Sequence, residues 1–239
     1  MKRANGQTGK RATQLILALD VDSFSKAKYF VSKLYPKIKI FKVGIQLFTL
    51  CGPKIVEFIH KKSANVFLDL KFFDIPNTVA AAVRSAARLR VKMLTLHILG
   101  GQEMLKAAID SAKKESRRLK IKPPLLIGVT VLTSKETKEG EVLKLARLGI
   151  NCGLDGVVCS VKEAALLRRQ IKKKFFMVTP GIRLNKISQD DQKRTATPGE
   201  AIKAGADFIV IGRPILEAKN PFKIVKELIY GIGKYKALS

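Results

Sequence analysis

Eight short runs rich in β-branched and other apolar residues recur along the chain, and they constrain its fold more than any other feature. They are LILALD (15–20), IKIFKV (38–43), VFLDLK (66–71), MLTLH (93–97), LLIGVT (125–130), GVVCS (156–160), FFMVTP (175–180) and FIVIG (208–212). Most of the segments between them, such as TVAAAVRSAARL, carry apolar residues three and four apart, which is typical of a helix. Apolar strands joined by helices indicate a parallel sheet covered by helices. Eight such units favour an α/β chain folded as a single (β/α)₈ barrel, a TIM barrel.

The length of the chain fits one such barrel. Its 239 residues are close to the roughly 250 that this fold commonly uses. No linker rich in Gly, Ser or Pro divides the sequence. We therefore expect one catalytic barrel domain over residues 15–239, preceded by a basic N-terminal tail at residues 1–14.

Two similar tripeptides precede the sixth and eighth runs. They are Gly153-Leu154-Asp155 and Gly205-Ala206-Asp207. Each glycine is predicted to end a helix. The aspartates lie at strand starts, which form the stability end of a barrel, so we interpret Asp155 and Asp207 as structural.

The sequence also predicts the compartment. No apolar run approaches the roughly 18 residues of a membrane span, and the basic start, MKRANGQTGKRATQ, lacks the apolar stretch of a secretory signal. The three cysteines form no CxxC pair, and the two histidines, His60 and His97, fit no zinc pattern. We expect a cytoplasmic protein with no membrane contact, no disulfide framework and no metal site.

The charge of the chain is not explained by the fold. There are 46 Lys and Arg residues against 19 Asp and Glu, which gives a net charge of +27. Such a balance is typical of proteins that bind nucleic acid or another polyanion. However, the lysines are spread along the whole sequence, and no nucleic-acid-binding motif accompanies them. We interpret them as a solvated surface and do not expect nucleic acid as the main partner, although a secondary affinity for RNA stays open. A polyanion-binding barrel without catalysis is the alternative from another class.

Polar residues near the ends of the predicted strands indicate where chemistry takes place, because barrel enzymes build their active sites at the C-terminal ends of the strands. Asp69 and Lys71 are two apart in the third run, so their side chains should point to the same face, beside Lys42 on the neighbouring strand. Charged residues are rarely buried unless they are paired. A functional role is therefore favoured over a structural one.

The last two runs end in residues suited to a phosphate group, and this part of a barrel commonly binds phosphate. Gly212 would let the backbone approach an anion, and Arg213 could bind two phosphate oxygens. The long irregular stretch over residues 183–197 is predicted to be a functional loop.

The run DLKFFDIPNT (69–78) resembles the signature of the orotidine 5'-phosphate decarboxylase family, D-x-K-x-x-D followed by I-P-N-T. Further similar motifs follow the expected order: LALD (17–20), KVG (42–44), HILGG (97–101), VTVLTS (129–134), GLDGVVCS (153–160), TPGIR (179–183), DDQKR (190–194) and VIGRPI (210–215). The resemblance implies decarboxylation of orotidine 5'-phosphate to uridine 5'-phosphate, the last step of UMP biosynthesis, with no metal and no organic cofactor.

The resemblance also implies a role for each matching residue. Lys71 would protonate C6 of the pyrimidine, and Asp69 would face the substrate carboxylate. Lys42 would join a Lys-Asp-Lys-Asp array and would hold ribose hydroxyls together with Asp20. The other substrate contacts would be Thr133 at the pyrimidine, Pro180 and Arg183 at the loop, and Gln192, Gly212 and Arg213 at the phosphate.

A homodimer is implied as well, since Asp74 and Thr78 would reach the active site of a second subunit. We interpret His97, a single histidine at a strand end, as a residue that positions its neighbours.

The alternative within the same barrel group is a metal-dependent sugar-phosphate enzyme, such as 3-keto-L-gulonate 6-phosphate decarboxylase or hexulose-phosphate synthase, which shares D-x-K-x-x-D. Resemblance to those relatives would imply an acidic residue on the second strand that binds magnesium. This chain has Lys42 on that strand instead. A cation there would repel a metal ion. The chain departs from the bacterial pattern in a short segment after VTVLTS, which affects the loop expected over the pyrimidine.

Overall fold

Eight parallel strands close into a barrel in sequence order. The computed structural model describes residues 13–131, 139–184 and 195–237. The strands are β1 (Gln14–Ala18), β2 (Ile40–Gly44), β3 (Asn65–Phe72), β4 (Met93–His97), β5 (Leu125–Val129), β6 (Gly156–Val158), β7 (Phe176–Thr179) and β8 (Phe208–Ile211). Each predicted run overlaps one strand, so the (β/α)₈ barrel is confirmed. Strand β1 begins one residue earlier than expected, at the last residue assigned to the tail.

Helices cover the outside of the barrel. Those in the described residues are α1 (Phe24–Leu34), α2 (Ile45–Cys51), α3 (Pro53–Lys61), α4 (Pro76–Arg88), α5 (Gly101–Arg118), α6 (Glu139–Cys152), α7 (Val161–Gln170), α8 (Pro198–Lys203), α9 (Arg213–Leu216) and α10 (Pro221–Ala237). In α4, Pro76 stands in the first turn, where no backbone N–H is needed, and Val79 and Val83 are buried one turn apart. No helix in these ranges is both long and apolar enough to cross a bilayer.

Apolar side chains form two separate layers. One fills the inside of the barrel, and the other lies between the strands and the surrounding helices. The inner layer includes Ile16, Ile40, Phe67, Met93, Ile127, Val178, Phe208 and Val210. Because both faces of each strand are buried, the strands read as nearly continuous apolar runs in the sequence.

Asp155 and Asp207, the two aspartates interpreted as structural, link neighbouring strands at the N-terminal end of the barrel. Asp155 accepts a hydrogen bond from the backbone N–H of Leu126 at 2.8 Å. Asp207 accepts one from the N–H of Met177, also at 2.8 Å, and forms an ion pair with Arg168. Each carboxylate links the start of its own strand to the preceding strand. The glycines before them have φ of +106° at Gly153 and +87° at Gly205, as predicted for residues that end helices.

Candidate active site

A cavity of about 280 Å³ opens among the C-terminal ends of the strands. Its lower wall is apolar and consists of Ala18, Phe67, Val129, Val131, Val158, Val178 and Val210. Its polar lining consists of Asp20, Lys42, Asp69, Lys71, Arg183 and Arg213. An apolar body with a few convergent polar groups is the usual form of a small-molecule site.

The centre of the polar lining is one carboxylate held between two ammonium groups. Lys71 Nζ lies 3.0 Å from both carboxylate oxygens of Asp69. Lys42 Nζ lies 3.4 Å from Asp69 Oδ2 and donates to Asp20 Oδ1 at 3.0 Å. The predicted grouping of Asp69, Lys71 and Lys42 is therefore confirmed, and Asp20 extends it towards β1.

The ion pairs determine the charge states of this cluster. Burial by itself would raise the pKa of Asp69, but the positive charges of Lys42 and Lys71 outweigh it and lower that pKa. Burial by itself would lower the pKa of Lys42, but the carboxylates of Asp69 and Asp20 raise it above its usual value. At neutral pH Asp69 is therefore an anion and Lys42 a cation.

The backbone that presents Lys71 is not a regular strand. Lys71 has φ of +50°, in the left-handed region, and the pairing of β3 with β4 shifts register between Leu68 and Phe72. A left-handed backbone at a lysine costs about 1–2 kcal/mol. The side chains of Asp69 and Lys71 are in contact, as predicted. However, the strand between them is distorted, so the contact does not follow from the regular alternation of side chains along a strand. Strain of this kind is often found at functional sites.

Thr95, on β4, is a site residue that the sequence reasoning missed. Its side chain is fully buried. Its hydroxyl donates to Asp69 Oδ1 at 2.9 Å and accepts from the backbone N–H of Lys71 at 2.9 Å. One threonine thus orients the carboxylate and supports the distorted backbone of the lysine. The available signal was its position two residues after Met93, which faces the barrel interior, and two before His97.

Residues from β7 and β8 form the opposite side of the cavity. Pro180, Arg183, Gly212 and Arg213, which the sequence assigned to the substrate, all line it. A Cβ atom at Gly212 would lie 3.4 Å from Ala18 Cβ and 3.5 Å from Asp20 Oδ2. The absence of a side chain there keeps the space between β8 and β1 open.

The polar lining carries a net positive charge. Four cations minus two carboxylates give +2 among the lining side chains. A closed, low-dielectric cavity strengthens such a field. The lysine and aspartate charges cancel, so the excess positive charge comes from Arg183 and Arg213, and their side of the cavity is suited to an anionic group.

Three of the predicted residues lie elsewhere. Asp74 and Thr78 are exposed and do not line the cavity of their own chain. Asp74 accepts a hydrogen bond from the N–H of Ile75. His97 is half-buried and does not line the cavity, and its ring lies 5.5 Å from that of Phe73. Burial and the charge of Lys71 lower the pKa of His97, so it is neutral at pH 7.

Two further predicted contacts, Thr133 and Gln192, fall outside the described residues, as does most of the predicted loop over 183–197. Within the described ranges, no three side chains of His, Cys, Asp or Glu converge in a way that could hold a metal ion.

Comparisons with known proteins agree with this geometry. Residues 13–228 match the model of the orotidine 5'-phosphate decarboxylase / HUMPS family. The chain is 45% identical over 226 residues to an orotidine 5'-phosphate decarboxylase of Vibrio cholerae, covering 90% of this chain and 96% of that protein. It is 44% identical over 227 residues to one of Syntrophotalea carbinolica, covering 90% of this chain and 93% of that protein.

A solved structure is similar as well. The crystal structure of orotidine 5'-phosphate decarboxylase from Lactobacillus acidophilus superposes with a TM-score of 0.81 at 33% identity, covering 92% of this chain and 99% of that one. The matched family model extends over almost the entire barrel, and the relatives align along nearly their full lengths. The chain therefore belongs to the orotidine 5'-phosphate decarboxylase family.

Proposed function

We propose that this protein converts orotidine 5'-phosphate into uridine 5'-phosphate and CO₂, in UMP biosynthesis in the cytoplasm, with no metal ion and no organic cofactor. One observation carries the proposal: the Asp69 carboxylate is held between the ammonium groups of Lys42 and Lys71 on one side of a cavity. Arg183 and Arg213 lie on the other side. The arginine side matches the phosphate of this substrate, and Lys71 and Asp69 face its reacting carboxylate.

Lys71 supplies the central chemistry. When the bond between C6 and the carboxylate breaks, its electron pair stays on C6 as an sp² carbanion that no adjacent carbonyl can delocalise. A fixed ammonium stabilises this charge as it develops and then transfers a proton to C6. The two hydrogen bonds from Lys71 Nζ to Asp69, both 3.0 Å, hold the ammonium in place before the substrate enters.

Asp69 contributes in two ways. It orients Lys71, and it faces the carboxylate that leaves. Two like charges about 4 Å apart repel by about 4 kcal/mol at an effective dielectric near 20. This repulsion disappears as CO₂ forms, which favours the reaction, although we rank it below the stabilisation by Lys71.

The remaining polar residues bind the rest of the substrate. Asp20 and Lys42 hold the ribose hydroxyls, Thr133 contacts the pyrimidine, and Gln192, Gly212 and Arg213 bind the phosphate. Pro180 and Arg183 frame the loop that follows β7. The phosphate is remote from C6, so its binding energy can close this loop and exclude water from the reacting carbon.

Replacing Arg213 by alanine is expected to lower kcat as well as raise KM. Loss of a hydrogen bond between charged groups costs about 1.5–3 kcal/mol, which corresponds to a fall in kcat/KM of about 10- to 100-fold. Steady-state kinetics with orotidine 5'-phosphate measure both constants. Arg169→Ala, at an exposed position on α7, is the matched control. An unchanged kcat in Arg213→Ala would contradict the use of phosphate binding to drive closure.

Thr95 is proposed to position the Asp69–Lys71 pair. In Thr95→Val both of its hydrogen bonds are lost at nearly constant volume, so we expect kcat to fall about tenfold or more with little change in KM. Thr95→Ser keeps the hydroxyl and should restore kcat to within about threefold of wild type, which a merely space-filling role would not predict. Equal kcat values for the valine variant and wild type would refute the positioning role.

A homodimer is part of the proposal, with Asp74 and Thr78 serving the active site of the second subunit. Both residues are exposed on their own chain. Phe73 and Ile75, on either side of Asp74 in the sequence, are 59% and 66% exposed, and Leu99, just after the neighbouring strand β4, is 56% exposed. Clustered exposed apolar groups are typical of interaction surfaces. They support an interface beside the mouth of the cavity.

The function is tested by following the absorbance of orotidine 5'-phosphate in the presence of the purified protein and excess EDTA. We expect turnover that is undiminished by the chelator. A folded protein without turnover would overturn the decarboxylase proposal. Turnover of sugar phosphates that is lost with EDTA would favour the metal-dependent alternative instead.

A further inference from the structure

The fold gathers basic residues that are scattered in the sequence onto one end of the barrel. Each helix returns the chain to the N-terminal ends of the strands, opposite the active site. The four segments that lead into β2, β3, β4 and β5 are residues 35–39, 61–65, 88–92 and 117–124. Together they hold eleven Lys and Arg residues and no Asp or Glu. We call these four segments the basic face.

The four segments are contiguous in space. Strands β2 to β5 are neighbours in the barrel. A backbone hydrogen bond joins the first two segments, from Asn65 N–H to the carbonyl of Lys39 at 2.9 Å. Leu125, directly after the fourth segment, donates its N–H to the carbonyl of Lys92 in the third, also at 2.9 Å. Neighbouring helices pack about 8–10 Å apart, so four helix ends form an arc of about 25–30 Å. Ten of the eleven cations are exposed, and Lys92 is half-buried.

Helix capping explains only part of this charge. Four of the cations stand in last helical turns, where positive charge stabilises the helix end: Lys61, Arg88, Arg117 and Arg118. Glu115 also pairs with Arg88 and Arg118, at 2.7 Å in each case. The cations at positions 90, 92, 120 and 122 lie beyond the helix ends, where this effect has faded.

Repulsion remains among the cations beyond the helices. Burial and the nearby ammonium of Lys122 lower the pKa of Lys92. Arg90 likewise adds to burial in lowering the pKa of His60. Like charges held close together oppose folding, so this repulsion within the basic face carries a cost to stability.

We propose that the basic face binds the phosphate backbone of duplex nucleic acid, independently of its sequence and of the catalytic function proposed above. A duplex presents one negative charge per roughly 1.7 Å of its axis, so the arc would meet many phosphates at once. Binding there would leave the cavity at the other end of the barrel open.

Two features of the basic face favour a duplex over other polyanions. None of the large exposed apolar side chains of the described residues lies in these segments, so there is no group to insert into a lipid surface. The one aromatic residue in them, Tyr35, is half-buried, so there is no exposed ring on which the bases of a single strand could stack.

The test uses the whole protein and measures fluorescence anisotropy of a labelled duplex of about 20 base pairs, as RNA and as DNA, over a series of salt concentrations. A quadruple variant with K61E, R90E, K120E and K122E changes the basic face. The matched control, with K106E, K144E, K162E and K223E, makes the same change in net charge at exposed positions on the helices. Decarboxylase activity should be unchanged in both variants, which would show that they are folded.

We expect wild type to bind the duplex with Kd in the micromolar range at moderate salt. The basic-face variant should bind at least about 100-fold more weakly, with the slope of log K against log salt reduced by about 3 to 4. The control should lose less than about fivefold. Equal affinity for RNA and DNA duplexes would show that the basic face recognises the phosphates that both contain. A preference for one would show which duplex is the partner.

Equal losses in the two variants would overturn the proposal, since net charge alone would then explain binding. Absence of duplex binding by wild type at 100 mM salt would also overturn it. So would tighter binding to vesicles of phosphatidylserine and phosphatidylcholine that depends on the same four residues, because the partner would then be a membrane surface.

Discussion

Replacing Lys71 by alanine is expected to reduce kcat by at least about 10⁴-fold, since the variant loses both the cation that stabilises the C6 carbanion and the proton that quenches it. The ammonium is the cation closest to Asp69, at 3.0 Å from both of its oxygens. Its side chain is 31% exposed, so its removal should leave the barrel folded. Single-turnover loss of orotidine 5'-phosphate absorbance measures the effect.

A second substitution at the same position separates the two roles of Lys71. Lys71→Arg keeps the positive charge, but a guanidinium does not give up its proton at neutral pH. We expect it to recover only part of the lost rate. Lys106→Ala, at an exposed position on α5, is the control and should retain full activity. Activity of Lys71→Ala within tenfold of wild type would remove this residue from the mechanism.

The second large effect is expected for Asp69→Asn. The substitution takes the negative charge from between Lys42 and Lys71, so Lys71 loses the ion pair that fixes its position while Lys42 keeps only Asp20, and kcat should fall by about 10³-fold or more. Because Asp69 is buried, removing one partner of the cluster also leaves uncompensated charge, which costs about 3 kcal/mol of unfolding free energy. Urea denaturation and steady-state kinetics measure the two effects separately.

The same variant predicts a change in the pH dependence of stability. The folded-state pKa of Asp69 lies below its unfolded value, so this carboxylate adds stability above pH ~4 that is lost as the pH falls through the lowered pKa. The folded-state pKa of Lys42 lies above its unfolded value. Its contribution is therefore complete below pH ~10 and is lost as the pH rises through the raised pKa.

In wild type the contribution of this cluster to the unfolding free energy should therefore be constant from about pH 5 to pH 9.5. In Asp69→Asn the decline between pH 5 and pH 3 should be shallower than in wild type. Asp22→Asn is the control, because Asp22 belongs to an exposed ion pair with Lys26 and should change the profile little. If the unfolding free energy fell equally steeply below pH 5 in wild type and in Asp69→Asn, Asp69 would not stabilise the fold.

Much of the candidate site could be predicted from the sequence because the signals are local. Asp69 and Lys71 stand at the end of a run, and the position of a residue along a strand determines which end of the barrel it occupies. The same rule correctly placed Lys42, Arg213 and Gly212 at the cavity. Thr133 and Gln192, which lie outside the described residues, stay predictions.

Other features depend on contacts between distant parts of the chain. Thr95 contacts Asp69 across 26 positions, and the contact exists because of the register between β3 and β4. The left-handed backbone at Lys71 arises where that register shifts, which strand periodicity does not reveal. A threonine within an apolar run reads as a core residue until its neighbours are known.

The sequence alone therefore determined the number and order of the strands and which end of each strand carries chemistry, since both follow from the spacing of apolar and charged residues along short segments. The tertiary structure decided how those segments meet. It joined Lys42, Asp69, Lys71 and Thr95 into one network, because closing the barrel sets the register between strands. It also collected eleven of the 46 cations, dispersed in the sequence, onto one face, because every helix carries the chain back to the same end of the barrel.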